Sequence, residues 1–306
     1  MQRLTQSRGR RRGSALLAVF WGVIVLSMAI GGWFYWLQER MRTQGEEARA
    51  VEALAMAHSG VAMAMNPGVD RYSSLLQADL GAGKGFRVEI EGEGGRLNLQ
   101  WILSGEDGRR QRMFRLWLET VIGVDLKDRD RLVDCLLDYV DPDNLVRLNG
   151  DEGGRGEYRP ANRMFLSLEE LQRVPGIEPL LAYPDWKNLF TMESTGPVDL
   201  MEAPEGVLRV LPGFGEAQIQ RLLNYRVGMD GVHHTEDDPK VGSVKELLMV
   251  IGGISPQAAK QLEGLVTVND QTFRIKSEGY SGKVVRQVQV VVRKGVGTPQ
   301  IRSWIE

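Results

Sequence analysis

From Ser14 to Leu37 the sequence reads SALLAVFWGVIVLSMAIGGWFYWL, 24 residues without a charged side chain. At about 1.5 Å per residue, a helix of this length spans a hydrocarbon core of roughly 30 Å. A cleaved secretory signal would carry a shorter apolar core followed by a small-residue cleavage site. Here the run ends in Trp33, Phe34, Tyr35 and Trp36, then Glu39 and Arg40, which suits a membrane–water interface. The stretch reads as an anchor that stays. Arg3, Arg8, Arg10, Arg11 and Arg12 precede it with no acid among residues 1–13, and mixed charge follows it. The positive-inside rule then puts the N-terminus in the cytoplasm and the large C-terminal part outside, in a bacterium the periplasm.

The helix pattern continues past the membrane. Residues 46–65 are rich in Ala, Met and Glu, good helix formers. Val51, Ala55, His58, Ala62 and Met65 recur at spacings of three and four, with Leu54 and Val61 beside them. That spacing predicts an amphipathic stripe that packs on something, closed by Asn66-Pro67-Gly68. The chain thus opens with one helix of about 50 residues, roughly 75 Å long.

A length of 306 residues suggests two units outside the membrane. The net charge of −2 is no signature of a nucleic-acid binder, and most of the basic excess belongs to the leader. Cys135 is the only cysteine, so the chain can form no internal disulfide; it lies in an apolar helical pattern and reads as a buried structural thiol.

Phe86 to Glu91 alternates apolar and charged residues and predicts a strand, with a turn at Gly92–Gly95 and Arg96–Leu99 as its partner strand. From about Asp107 to Leu265 the period is helical, with amphipathic segments at 112–121 and 128–140. Three later stretches (166–177, 207–219 and 244–258) share a helix, a tight Gly/Pro turn and a second helix. Pro175 and Gly176 mark the first turn, and Pro212, Gly213 and Gly215 the second. The second, Leu211-Pro212-Gly213-Phe214-Gly215, matches the helix-hairpin-helix form. In DNA-binding versions such glycines present backbone N–H groups to a phosphate, and Arg221 and Arg226 follow here. Glu202, Glu205 and Glu216 surround the turn and oppose that use. Compact sterile-alpha-motif-like packing units are the competing reading.

Asp138, Asp141 and Asp143 lead into a polar loop with Asp151 and Glu157, a set of hard oxygens that suits calcium. Counted from Asp141, position 12 is Glu152 but position 6 is Val146 where an EF-hand needs glycine, so the spacing matches no EF-hand. Capping and turn duty explain the same residues. A second, sparser acidic loop runs from Asp230 to Asp238 with His233 and His234 inside it.

Beyond Leu265 the period returns to two. Val266–Asn269, Thr272–Gly279 and Lys283–Arg293 predict strands, the last two joined at Ser281-Gly282. They need the earlier pair to cover the amphipathic half-helix, so the helical block is inserted within a β-unit. No nucleophile elbow, P-loop, zinc-spaced Cys/His set or triad is found, and the chain reads as a non-enzyme.

The junction Arg11-Arg12-Gly13-Ser14 before the apolar run resembles the leader of type IV pilins and pseudopilins. By that resemblance a prepilin peptidase cuts after Gly13, leaving Ser14 as the methylated mature N-terminus. Most such subunits carry glutamate at the fifth mature position, here Ala18, and its absence marks the K-type minor pseudopilin of type II secretion. Gly95-Arg96-Leu97-Asn98-Leu99, the segment around Asp138-Tyr139-Val140-Asp141-Pro142-Asp143 and the run from Asn269 to Gly279 resemble that family too. The resemblance implies an α+β, pilin-like fold: a long N-terminal helix and antiparallel sheet with a large inserted all-α domain. The divisions are leader 1–13, membrane half-helix 14–37, amphipathic half 38–66, first β part 67–103, α-domain 104–265 and last strands 266–306. It further implies a single-pass inner-membrane subunit at the tip of the pseudopilus, partnered by I- and J-type minor pseudopilins, the major pseudopilin, membrane lipid and a secreted substrate. Nucleic acid is not expected, and calcium is the one cofactor the resemblance suggests. A membrane-tethered DNA receptor built on the 211–215 hairpin is the alternative.

Overall fold

The computed structural model describes residues 10–105, 107–153, 158–295 and 298–306. Most of the expected leader (residues 1–9) and Glu157 lie outside the described residues. One helix, α1 (Arg10–Ala64, 55 residues), opens the chain. A short strand β1 (Gln77–Asp79) and strand β2 (Lys84–Gly92) follow. Then come β3 (Leu97–Asn98), α2 (Leu99–Leu103), α3 (Gly108–Trp117) and α4 (Leu126–Val140). The next elements are α5 (Glu178–Leu181), β4 (Phe190–Thr191), β5 (Val198–Asp199), α6 (Glu205–Leu208) and α7 (Glu216–Arg226). The chain closes with α8 (Val244–Ile251), α9 (Pro256–Leu262), β6 (Val266–Thr267), β7 (Thr272–Ser281), β8 (Val284–Arg293) and β9 (Gln300–Ile305).

Five strands form one antiparallel sheet in the order β1-β2-β7-β8-β9. The β7–β8 hairpin turns at Ser281-Gly282, as the alternation predicts, with Ser281 opposite Val284. Alternate residues Val88, Ile90, Ile275, Val288, Val290 and Val292 form its inner face. The lower part of α1 lies across this face, over β2, β7 and β8. The upper part stands free, and Leu16 to Met41 expose their apolar side chains. It is the one helix among the described residues long and apolar enough to cross a membrane.

The face of α1 that packs is not the one the spacing of larger side chains predicts. Ala53, Ala57, Gly60, Val61 and Ala64 are buried, whereas Val51, Ala55, His58 and Ala62 face outward. The reason is close approach. A Cβ on Gly279 of β7 would sit 2.0 Å from the Ala53 carbonyl oxygen and 2.2 Å from the Ala57 nitrogen. One on Gly60 would sit 2.3 Å from Ser277 Oγ and 2.8 Å from Val88 Cγ2. Helix and strand backbones touch here, and only small side chains fit between them.

Residues 93–271 leave the sheet at the end of β2 and return at the start of β7, two hydrogen-bonded neighbours. Arg96–Leu99 is therefore not a partner for β2. Arg96 turns back to Glu91 (2.6 Å) and Glu93 (3.0 Å), and the Asn98 side chain caps α2 by accepting from Trp101 N (2.9 Å). Leu97–Asn98 pairs in parallel with Phe190–Thr191, and Val266–Thr267 pairs in parallel with Val198–Asp199 rather than joining the large sheet. The inserted block is consequently not purely helical: two short parallel bridges tie its segments together. Its core gathers Phe114, Trp117 and Phe190, with Trp117 and Phe190 edge to face at 5.5 Å.

Gly279→Ala forces a Cβ into the α1 backbone and is expected to destabilise the full chain in detergent by about 1–3 kcal/mol, the usual cost of overpacking. Gly45→Ala, where a Cβ meets nothing within 4 Å, removes a mid-helix glycine and is expected to be neutral or slightly stabilising. Thermal melts of the two variants check the contrast.

Candidate functional site

Two features are candidates for function: the acidic end of α4, and the turns between the later helices. The last turns of α4 carry Asp134, Asp138 and Asp141 at spacings of four and three, hence on one face. A helix C-terminus disfavours carboxylates, so these need partners. Asp134 receives Arg115 Nη2 (2.8 Å) and the backbone and side-chain nitrogens of Asn149 (3.2 and 3.0 Å). Asp138 is fully buried; Arg147 donates to it from Nη1 (2.6 Å) and from its backbone N–H (3.3 Å), and Nη1 also reaches Asp141. The loop can wrap this closely because residue 150 is glycine: a Cβ there would lie 1.8 Å from Asp138 Oδ2.

Glu152 completes the group. Asp138, Asp141 and Glu152 each offer a carboxylate oxygen within 4.8 Å of the others. Both Glu152 oxygens and Asp141 Oδ1 are buried atoms with no hydrogen-bond partner among the described residues. Burial, and then the charges of Asp138, Asp141 and Asp143, push the Glu152 carboxyl up to about 7. Arg147 bonds two of the three acids with a single positive charge, so among the described residues the cluster keeps an excess of negative charge. An all-oxygen carboxylate set with unfilled lone pairs suits a hard cation such as calcium, not zinc.

Of the ligands expected from sequence, Asp138 and Asp141 come together. Asp143 instead accepts from Leu145 N (2.8 Å) and Asp151 from Gly153 N (2.8 Å), both turn duties. Glu152, passed over once the EF-hand count fails, takes their place, and its position twelve from Asp141 is the signal that could have found it. The second acidic loop engages Asp230, Asp237 and one oxygen of Asp238 in its own turns, while Asp238 Oδ1 has no partner among the described residues. Asp237 accepts from Thr235 Oγ1 (2.7 Å), Met229 N and Asp230 N, which hold its carboxyl at about 2. Cys135 is buried, and burial raises its thiol to about 11, which leaves it inert.

Pro175-Gly176 and Pro212-Gly213 do form turns, with Gly176 and Gly213 at φ of +81° and +79°. Gly215 is the N-cap of α7. Gly213 faces inward, because a Cβ there would meet Ala258 Cβ at 2.7 Å. Arg221 donates to the Ile251 carbonyl (2.6 Å) and Arg226 to that of Ala203 (2.7 Å). The two arginines that would approach a phosphate are engaged in holding α7 to its neighbours. At the head of the chain the backbone of Gly13 and Ser14 lies within α1, and Ala18 is exposed.

Between β-unit and insert, Glu202 accepts from Arg71 (2.8 Å) and from His234 Nε2 (2.9 Å). Burial pushes the Glu202 carboxyl up, but His234 and Arg71 outweigh it and hold it at about 2.

Residues 95–182 match the family model described as type II secretion system protein K. A chain of the GspK-GspI-GspJ complex from the type 2 secretion system of enterotoxigenic Escherichia coli has a similar fold. The TM-score is 0.61 at 15% identity, over 87% of this chain and 98% of that one. No curated protein matches the sequence. The resemblance to K-type minor pseudopilins is thereby borne out, in the family model and in the mixed helix-and-antiparallel-sheet fold.

Because the folded Glu202 carboxyl lies below its ordinary value near 4.5, its contribution is complete above that pH and is lost as pH falls towards about 2. Melting temperature followed from pH 6 to pH 2.5 is expected to fall less steeply in Glu202→Gln, which starts lower.

Proposed function

We infer that this chain works as the K-type minor pseudopilin of a type II secretion system, at the tip of the periplasmic pseudopilus, and takes part in protein export. The observation that carries the reading is the division of α1. Its lower half lies on the sheet with a small-residue face, and its upper half presents unpaired apolar surface. Such a helix suits lateral packing against helices of other pseudopilins once released from the membrane. The name of the similar complex supports I- and J-type partners. The insert, more than half of the chain between β2 and β7, is too bulky to repeat along a shaft. Ala18 offers no carboxylate to pair with the mature N-terminus of a subunit above, and the first position needs none. The helix–turn–helix pairs α6–α7 and α8–α9 serve as sterile-alpha-motif-like packing units. A periplasmic α-domain, a cytoplasmic leader and cleavage after Gly13 belong to the same reading.

Co-expression with a prepilin peptidase, followed by sequencing of the mature N-terminus, tests it. Ser14 as first residue is expected, methylated on its amine. An uncut chain, or a start elsewhere, removes the leader assignment.

We further propose that Asp138, Asp141 and Glu152 hold calcium. Bound calcium would add positive charge beside Glu152 and tie the 147–152 loop to α4. A ligand at 100 times its Kd stabilises by about 2.7 kcal/mol. Melting temperature is expected to rise in 1 mM calcium, to fall again with chelator, and to respond far less in Glu152→Gln. An identical melt in calcium and in chelator rules the site out.

A further inference from the structure

Helix α3 carries Arg109, Arg110, Arg112 and Arg115 and no acid. Three of the four are engaged. Arg110 stacks over the Trp101 ring at 4.5 Å and donates to the Trp101 carbonyl (3.0 Å). Arg115 pairs with Asp130 (3.3 Å) and Asp134 (2.8 Å). Arg109 pairs with Asp107 (3.0 Å) and donates to the Glu263 carbonyl (3.0 Å). Arg112 is exposed and makes no ion pair or side-chain hydrogen bond among the described residues.

Arg112 stands on the rim of a groove of about 460 Å³ between α3, the Arg209–Pro212 turn and the end of α9. Met113, Val210, Leu211 and Leu265 are buried beneath it, and Leu116, one turn beyond Arg112, is 40% exposed at its edge. The titratable groups lining it are Arg109, Arg112 and Arg209, with no acid among them. The carboxylates that pair with Arg209, from Glu205 and Glu216, lie outside the lining, as does Asp107. In a chain of net charge −2 this is a local reversal of sign over an apolar floor.

That combination defines its ligand. The floor favours burial of one or two large apolar side chains, and the free guanidinium favours a carboxylate, which it can grip with two parallel N–H donors. The size lies within the ordinary range of ligand pockets. We propose that this groove is a docking site for a short acidic and apolar peptide segment of another protein, with a carboxylate held by Arg112. A lipid headgroup fits less well, because the membrane half of α1 stands away from the insert and α1 packs on β2, β7 and β8. A nucleic-acid backbone would want a row of free cations, and among the described residues the groove offers one.

The test uses full chain in nonionic detergent and a fluorescein-labelled peptide alternating Asp with Leu and Phe, followed by anisotropy against empty micelles. Saturable binding is expected, weakened at least tenfold by Arg112→Glu and left unchanged by Arg286→Glu, a charge reversal at another exposed arginine. A peptide with Lys in place of Asp is expected not to bind. Melts of both variants show that the fold is kept. Equal loss in the two variants, binding of the Lys peptide, or no saturable binding overturns the proposal. Displacement of the peptide by duplex DNA or by an anionic detergent as readily as by unlabelled peptide overturns it as well.

Discussion

The contact between the α1 backbone and strand β7 is the constraint from which the rest follows. With no Cβ at Gly60 or Gly279, helix and sheet approach until backbone atoms touch. That approach selects Ala53, Ala57 and Ala64 for the interface and fixes which side of the helix is left over. It also sets the register, because Gly279 of β7 pairs with Phe86 of β2, whose ring packs beside Gly60. A helix held by such a narrow face keeps its other faces free for neighbours.

The insertion depends on a second constraint at its root. The chain leaves β2 at Gly92 and re-enters at Thr272, and the Glu93 backbone N–H donates to the Thr272 carbonyl (2.8 Å). Buried Glu93 takes Arg274 at 2.7 and 2.9 Å and Arg96 at 3.0 Å, while Glu91 takes Arg96 and Lys276. Removing one partner from such a buried set leaves an unpaired charge, which costs more than the pair contributes. The network closes the two crossing strands into a stiff base. On the other side Arg71–Glu202–His234 joins the segment after α1 to the 228–241 loop.

Much of this was legible in the sequence. The apolar run and the β7–β8 hairpin carry strong, uninterrupted periods, and α4 carries a clean helical one. The misreadings have particular physical causes. The stripe Val51, Ala55, His58 and Ala62 looked like the buried face because larger side chains usually turn inward, whereas close backbone approach reverses that preference. Arg96–Leu99 alternates like a strand, but Asn98 caps a helix and Arg96 is drawn back to Glu91 and Glu93. Strands β1 and β9 are not legible in the sequence because three residues show no period and a bulge breaks the other's alternation. At the acidic site Asp138 and Asp141 could be read from helical spacing. Glu152 reaches them only through the path of its loop, which the glycine at 150 permits.

The central claim is that the small-residue face of α1 belongs to its own sheet, which leaves the opposite face for the proposed pseudopilin partners. Single cysteines at Ala55, Ala62 and Ala57 in full chain co-expressed with I- and J-type partners, followed by oxidative cross-linking to cysteines in the partner helices, test it directly. The account predicts cross-links from Ala55→Cys and Ala62→Cys and none from Ala57→Cys, which is buried against the sheet. Cross-links from position 57, or none from 55 and 62 in a complex that still co-purifies, would contradict it.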